Sequence, residues 1–180
     1  MKLLFYILLS FCFAAQNNIA AQSKNEVLLK WDAQKKLTWA DYKGQPNQFS
    51  DAAASTSTYL VISYDFYQDK MSYKIKSYFS ATRSWGRHKT PYILSHEQGH
   101  FDIAEIFARK LYKEMSEYKY EGRKSKQGLD DIYDKIIREK SAMQDQYDKE
   151  TNHSINEKKQ AEWMAKIKLL LEQYAAYSDY

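Results

Sequence analysis

T-P-Y-I-L-S-H-E-Q-G-H-F-D-I-A-E-I-F-A-R-K-L-Y-K-E-M, Thr90 to Met115, is the stretch on which the fold turns. A hydroxyl residue followed by proline is a helix start: Thr90 offers a cap, and Pro91 fits the first helical position, where no amide hydrogen is needed. Ile93, Leu94, Ile103, Ala104, Phe107, Leu111 and Met115 then recur at helical spacing. The pattern predicts one long amphipathic helix, with Gly122 as its stop.

Inside that helix lies H-E-Q-G-H, His96 to His100. At 3.6 residues per turn the two histidines are about 40° apart on one face, so both imidazoles can address one ion. Zn²⁺ suits neutral imidazole. Glu97 lies about 100° from His96 and about 60° from His100, on the flank, where it reaches water beside the ion without having to bind the ion. Zinc lowers the pKa of such a water to about 7, and Glu97 is then the expected general base for attack on a carbonyl. Ile103, Ala104 and Phe107 continue the histidine face, so the pair points into the core, where unpartnered polar groups are costly. Gly99 costs about 1 kcal/mol against Ala in a helix, and close approach of a neighbouring strand would account for it.

Catalytic zinc usually takes three protein ligands. Glu105 is about 180° round the helix from His96, and Asp102 also points off the face. His88 sits in the basic loop W-G-R-H-K and reads as solvent-facing. His153, in Y-D-K-E-T-N-H-S (Tyr147 to Ser154), is the candidate third ligand, with Asp148 and Thr151 placed to orient it by hydrogen bonds. Asp148 or Glu150 as a carboxylate ligand remains the alternative. Tyr147 is a candidate donor to a developing oxyanion, although it also fits the apolar pattern of its own helix.

Outward from this segment the two halves of the chain differ. Ala52 to Phe66 is rich in Thr, Tyr, Val and Ile and reads as one strand. Met71, Tyr73, Ile75, Ser77 and Phe79 alternate with polar residues and read as a second, closed on the first by a hairpin at Tyr67 to Lys70. The strand from Met71 to Phe79 is the expected edge for an extended substrate. Leu37 to Tyr42 (L-T-W-A-D-Y) is a short aromatic segment. Leu129, Ile132, Tyr133, Ile136, Ile137, Met143 and Tyr147 mark a second helix. A third carries Trp163, Ile167, Leu170 and Tyr174, opened by a capping box at Ser154 and Glu157. The expected fold class is α+β: a small antiparallel sheet from the N-terminal half, packed against a long active-site helix and two further helices.

Lys2, the apolar run from Leu3 to Phe13 and the small residues Ala14, Ala15, Ala20 and Ala21 read as a signal peptide over residues 1–21, followed by one domain over 22–180. Cleavage there would remove Cys12, the single cysteine, leaving a fold that cannot depend on disulfides. The protein is expected outside the cytoplasm, periplasmic or extracellular, with no stable membrane span. The net charge of +4 is spread among acidic residues at helical spacing, a solvated face that gives nucleic acid no stripe to bind. The 16 tyrosines read as a semi-exposed aromatic surface. Oligomeric state is not legible.

These motifs together resemble the bacterial family DUF922, described as predicted secreted zinc-dependent proteases. The resemblance rests on L-T-W-A-D-Y (37–42), the Ala-rich segment 52–58, Ser84-Trp85, H-E-Q-G-H-F-D-I-A-E (96–105) and Y-D-K-E-T-N-H-S (147–154), followed by Gln160 and Trp163. It implies one Zn²⁺ at His96 and His100, Glu97 catalytic and His153 as third ligand, in a zincin-like arrangement. Ser154 departs from the glycine often found at that position. The expected function is a zinc metallopeptidase acting on a peptide or protein. The alternatives are a zinc-binding envelope module without turnover, or an amidase acting on a non-peptide or cell-wall amide.

Overall fold

The computed structural model describes residues 26–67, 70–122 and 125–180. The expected signal peptide and the two residues at the tip of the expected hairpin lie outside them. The architecture is α+β, as the patterning predicts. β1 (Leu28–Lys30), β2 (Ala54–Ser55), β3 (Thr58–Tyr67), β4 (Lys70–Ser80) and β5 (Trp85–Gly86) precede α1 (Pro91–Glu117), α2 (Ser125–Thr151) and α3 (Glu157–Gln173). No helix of the described residues is long and apolar enough to cross a membrane.

β3 and β4 form the antiparallel hairpin, in register from Thr58 opposite Phe79 to Tyr67 opposite Lys70. Ile75, Ser77 and Phe79 are buried while Ser72, Lys74 and Lys76 are exposed, which is the expected alternation. β4 is not an edge, however. The three-residue β1 pairs with its end, Leu28 opposite Ser80, so the strand order is β1-β4-β3. A strand that short carries no periodic signal, which is why β4 looked free. The expected single strand from Ala52 to Phe66 is also divided. Ser57 N–H donates to Ser84 Oγ at 2.9 Å, and the chain changes partners there: β2 leaves the main sheet and pairs with β5, Ala54 opposite Gly86.

The sheet packs on α1. Leu60 and Ile75 meet Ile103, Phe107, Leu111 and Met115, and the same core continues to Ile136 of α2 and Trp163 and Ile167 of α3. A second cluster of Leu37, Tyr42, Phe79, Ala81 and Phe101 lies at the end of the sheet nearer the start of α1. Thr90 caps α1 as expected, its Oγ1 accepting from Ile93 N–H at 3.1 Å. The helix ends at Glu117, ahead of Gly122, because Tyr118 takes an extended conformation. α3 is capped by Asn156, whose side chain accepts from Lys159 N–H at 3.1 Å, and not by Ser154. Asn152, His153 and Ser154 have φ of 46°, 51° and 73°, a left-handed turn that displaces the helix start by two residues.

Candidate metal centre

His96 and His100 stand one turn apart on α1. Gln144 and Asp148 stand one turn apart on α2, and the two pairs face each other. Three ligand-type atoms meet between them. His96 Nε2 and His100 Nε2 are 3.2 Å apart, and Asp148 Oδ1 lies 3.1 Å from the first and 3.0 Å from the second.

The outer side of each ring decides what its inner nitrogen can be. The His96 backbone carbonyl can only accept, so Tyr147 O–H donates to it, at 3.2 Å. Tyr147 Oη therefore accepts from Gln160 Nε2 at 3.0 Å, which turns Gln160 Oε1 toward His96 Nδ1 at 2.8 Å. His100 repeats the device more directly. Gln144 Nε2 donates to the His100 carbonyl at 2.9 Å, and Gln144 Oε1 faces His100 Nδ1. A glutamine oxygen only accepts, so both rings carry hydrogen on Nδ1, and a neutral ring presents the Nε2 lone pair inward. Two lone pairs and a carboxylate at these separations repel unless a cation sits among them. Atoms about 2.0–2.1 Å from one tetrahedral ion stand roughly 3.3 Å from one another, so the observed spacing of 3.0–3.2 Å fits a divalent metal. Two imidazoles and one carboxylate are a donor set suited to zinc.

Without metal, protons serve instead. Burial works against the Asp148 carboxylate, but the hydrogen bonds and charges of His100 and His96 outweigh it and hold its pKa well below the usual carboxylate range. Burial likewise works against charged His100, and Asp148 outweighs it, so the His100 pKa is raised.

Glu97 is buried beside the pair. Thr56 Oγ1 donates to its Oε2 at 2.5 Å. A cavity of about 340 Å³ opens over the site. His96, Glu97, His100 and Asp148 lie along it, β2 and Trp85 form one wall, and His153 stands at its rim.

A family model described as a bacterial protein of unknown function, DUF922, matches residues 32–154. The chain belongs to the DUF922 family. No curated protein and no solved structure matches it. The matched span takes in β2 to β5, α1, α2 and His153, while β1, Gln160 and Trp163 lie outside it.

In this DUF922 protein His96, His100 and Asp148 come together, and His153 does not join them as a third ligand. Its side chain is 69% exposed, and Nδ1 stays 3.7 Å from Asp148 Oδ1. The physical reason is the length of α2, which continues to Thr151 and so points Asp148 inward from a helix face, while the left-handed turn carries His153 to the rim. Asp148 therefore faces the two imidazoles instead of orienting His153. Thr151 does not orient His153 either; its hydroxyl donates to the Tyr147 carbonyl at 2.7 Å. Tyr147 is fully buried, stacked on His96 with centroids 4.4 Å apart, and its one proton is committed to the His96 carbonyl. It has nothing left for an oxyanion. Gly99 makes room for Tyr147 rather than for a strand: a Cβ there would lie 2.5 Å from the Tyr147 hydroxyl. Glu105 pairs with Arg109 at 2.9 Å, away from the site. Asp102 accepts from Trp31 Nε1 at 2.7 Å and Gln98 Nε2 at 2.9 Å. His88 is exposed.

Sequence reasoning missed Gln144, Gln160 and Thr56 as parts of the site. Gln144 carries a usable signal, one turn before Asp148 on the same helix face. Thr56 carries none, because its contact with Glu97 spans 41 residues of chain.

Proposed function

We propose that this protein is a zinc-dependent peptidase of zincin-like design, in which His96, His100 and Asp148 hold one ion and Glu97 is the general base. The observation that carries the proposal is the inward convergence of two Nε2 lone pairs and a carboxylate beside a buried glutamate that opens on a cleft. Bound Zn²⁺ supplies Lewis acidity, acidifying water and polarising a carbonyl. Glu97 takes the proton of the attacking water and delivers it to the leaving amine nitrogen as the C–N bond breaks. His153, at the rim, offers an N–H to the carbonyl oxygen as that oxygen gains charge, the part Tyr147 is too buried to play.

β2 replaces β4 as the strand that receives the substrate. Arg87 N–H donates to the Ala53 carbonyl at 2.8 Å, and Ser55 stands opposite Trp85. Ala53 and Ser55 thus turn their backbone groups toward β5. Ala54, between them, turns its N–H and C=O to the opposite edge. A peptide extended along that edge gains main-chain hydrogen bonds beside Glu97. The basic and then apolar start of the chain supports export, and so action outside the cytoplasm.

Glu97→Gln tests the chemistry. Zinc content measured by mass spectrometry stays at the wild-type level, and cleavage of fluorescein-labelled casein disappears. Undiminished cleavage would refute the assignment of the base. A second reading, a closed zinc site without turnover, is favoured by the 3.7 Å separation of His153 from Asp148. A short rotation would make His153 a fourth ligand. In that case His153→Ala lowers zinc affinity sharply and wild-type protein cleaves nothing.

A further inference from the structure

The aromatic segment Leu37–Tyr42 is not used by the reaction as described, yet it straps the motif helix at three points. Leu37 N–H donates to Gln98 Oε1 at 2.8 Å. Trp39 Nε1–H donates to the Thr90 carbonyl, at the helix cap, at 3.1 Å. Tyr42 reaches Glu97 through Thr56: the Tyr42 and Thr56 hydroxyl oxygens are 2.8 Å apart, and Thr56 Oγ1 is 2.5 Å from Glu97 Oε2.

The direction of this chain is fixed by proton counting. An ionised carboxylate only accepts, so the single Thr56 proton goes to Glu97, and Thr56 can only accept from Tyr42. Tyr42 is well suited to the donor end. Its ring is buried in the second core cluster, edge-on to Phe79 at 5.0 Å and tilted against Trp39 at 4.9 Å. Burial, and then the charge of Glu97, push its phenol well above the usual tyrosine range, so it keeps its proton. The other oxygen of Glu97 has a different fate. Among the described residues Ser77 Oγ is the one fully buried side-chain polar atom without a partner. Glu97 Oε1, which no described residue bonds, therefore opens to the cavity.

We infer that Tyr42 and Thr56 are positioning residues that grip Glu97 Oε2 and hold Oε1 toward the cleft as the proton acceptor. The inference rests on the peptidase reading for its use, but the grip itself is a property of the fold. A free glutamate side chain spreads over several rotamers, and a base displaced by about 1 Å loses much of its effect. Anchoring one oxygen to an aromatic core removes that freedom while leaving the reactive oxygen bare.

Three variants and one spectroscopic observation test it. Thr56→Val, which keeps the shape and removes the donor, lowers kcat on fluorescein-labelled casein by about ten- to a hundredfold, the range for losing one hydrogen bond to a charged group. KM and zinc content hold. Thr56→Ser restores most of the rate, because it restores the hydroxyl. Tyr42→Phe gives a smaller loss in the same direction, and it carries the test if Thr56→Val fails to fold. In metal-free wild-type protein the Thr56 hydroxyl proton is visible by NMR as a slowly exchanging resonance, and its exchange quickens in Tyr42→Phe. Wild-type rates in Thr56→Val, equal losses in the Val and Ser variants, or a Thr56 hydroxyl that exchanges at the solvent rate would each overturn the inference. If the wild type leaves casein intact, the peptidase reading falls, and the hydroxyl resonance still decides whether Thr56 grips Glu97.

Discussion

Replacing Gln160 by Met keeps the volume and apolar stem of the side chain and removes its amide. Two hydrogen bonds go with it, the 2.8 Å bond to His96 Nδ1 and the 3.0 Å bond to Tyr147 Oη. Tyr147 keeps its bond to the His96 carbonyl, so the larger loss falls on His96, whose buried Nδ1–H is left without an acceptor. Such an orphaned donor costs about 1–3 kcal/mol, and in a domain of this size each kcal/mol lowers Tm by about 2–4 °C. The effect on metal is separate. With Oε1 gone, His96 is free to move its hydrogen to Nε2 and turn its lone pair outward. Losing a partner of this kind typically costs about ten- to a hundredfold in metal affinity. Gln160→Glu provides the contrast: its carboxylate still accepts from His96 Nδ1 and makes the ring more basic, while the donor to Tyr147 is lost. Zinc dissociation constants from competition with a chromogenic chelator, alongside thermal melts of the metal-free proteins, separate the two effects. Weakened zinc binding in Gln160→Met but not in Gln160→Glu is the expected result. Equal affinity in the wild type and Gln160→Met, with a lower Tm in the variant, would refute the idea that the glutamine sets the imidazole tautomer.

Asp148→Asn lowers zinc affinity by well over tenfold, whereas His153→Ala leaves zinc content near the wild-type level and lowers hydrolysis; calorimetric titration of both variants checks the ligand set. Zinc affinity falls as pH drops from about 8 to about 6, because the raised His100 pKa means that the metal must displace a proton already in that range, while Asp148, held low, stays ionised throughout. Titrations in buffers of different ionisation enthalpy count that proton, and a pH-independent affinity would contradict the assignment. Gly99→Ala destabilises the protein by about 1–3 kcal/mol in urea melts, despite the intrinsic helix preference for Ala, because the added methyl meets a tyrosine hydroxyl that is hydrogen-bonded on both sides.

What the sequence made legible is what depends on one helix or one strand alone. The shared face of His96 and His100 follows from helical arithmetic, and the buried face of β4 follows from alternation. Both needed no knowledge of neighbours. The errors fall where two elements meet. Asp148 and His153 are both plausible ligands in a list of residue types. Only the continuation of α2 to Thr151 decides which of them faces the two imidazoles, and periodicity places a helix end to within a turn at best. Ala52 to Phe66 has the composition of one strand. The partner change at Ser57 depends on Ser84, 27 residues away. Gln144 and Gln160 were passed over as parts of the site for a different reason. Glutamine is chemically unassertive, and its value here lies in having an acceptor and a donor on one rigid group, so that binding a backbone carbonyl or a phenol with one end fixes what the other end presents.

The left-handed turn at Asn152–Ser154 shows how the end of the Tyr147–Ser154 segment serves the site beyond the carboxylate of Asp148. Left-handed backbone costs an L-residue about 1–2 kcal/mol, less for asparagine, and here three consecutive residues adopt it, with Ser154 at φ 73° where glycine would sit without strain. The turn is held by His153 N–H to the Asp148 carbonyl at 2.9 Å and Asn156 N–H to the Thr151 carbonyl at 2.8 Å. These bonds close the end of α2 tightly enough for α3 to start at Glu157 and fold back, and that return is what lays Gln160 against His96. A looser turn would still leave Asp148 on α2, but it would move Gln160 away and release the His96 ring. The strain is therefore coupled to the metal centre: the same short segment that keeps His153 at the rim sets the imidazole on which the proposed ion depends.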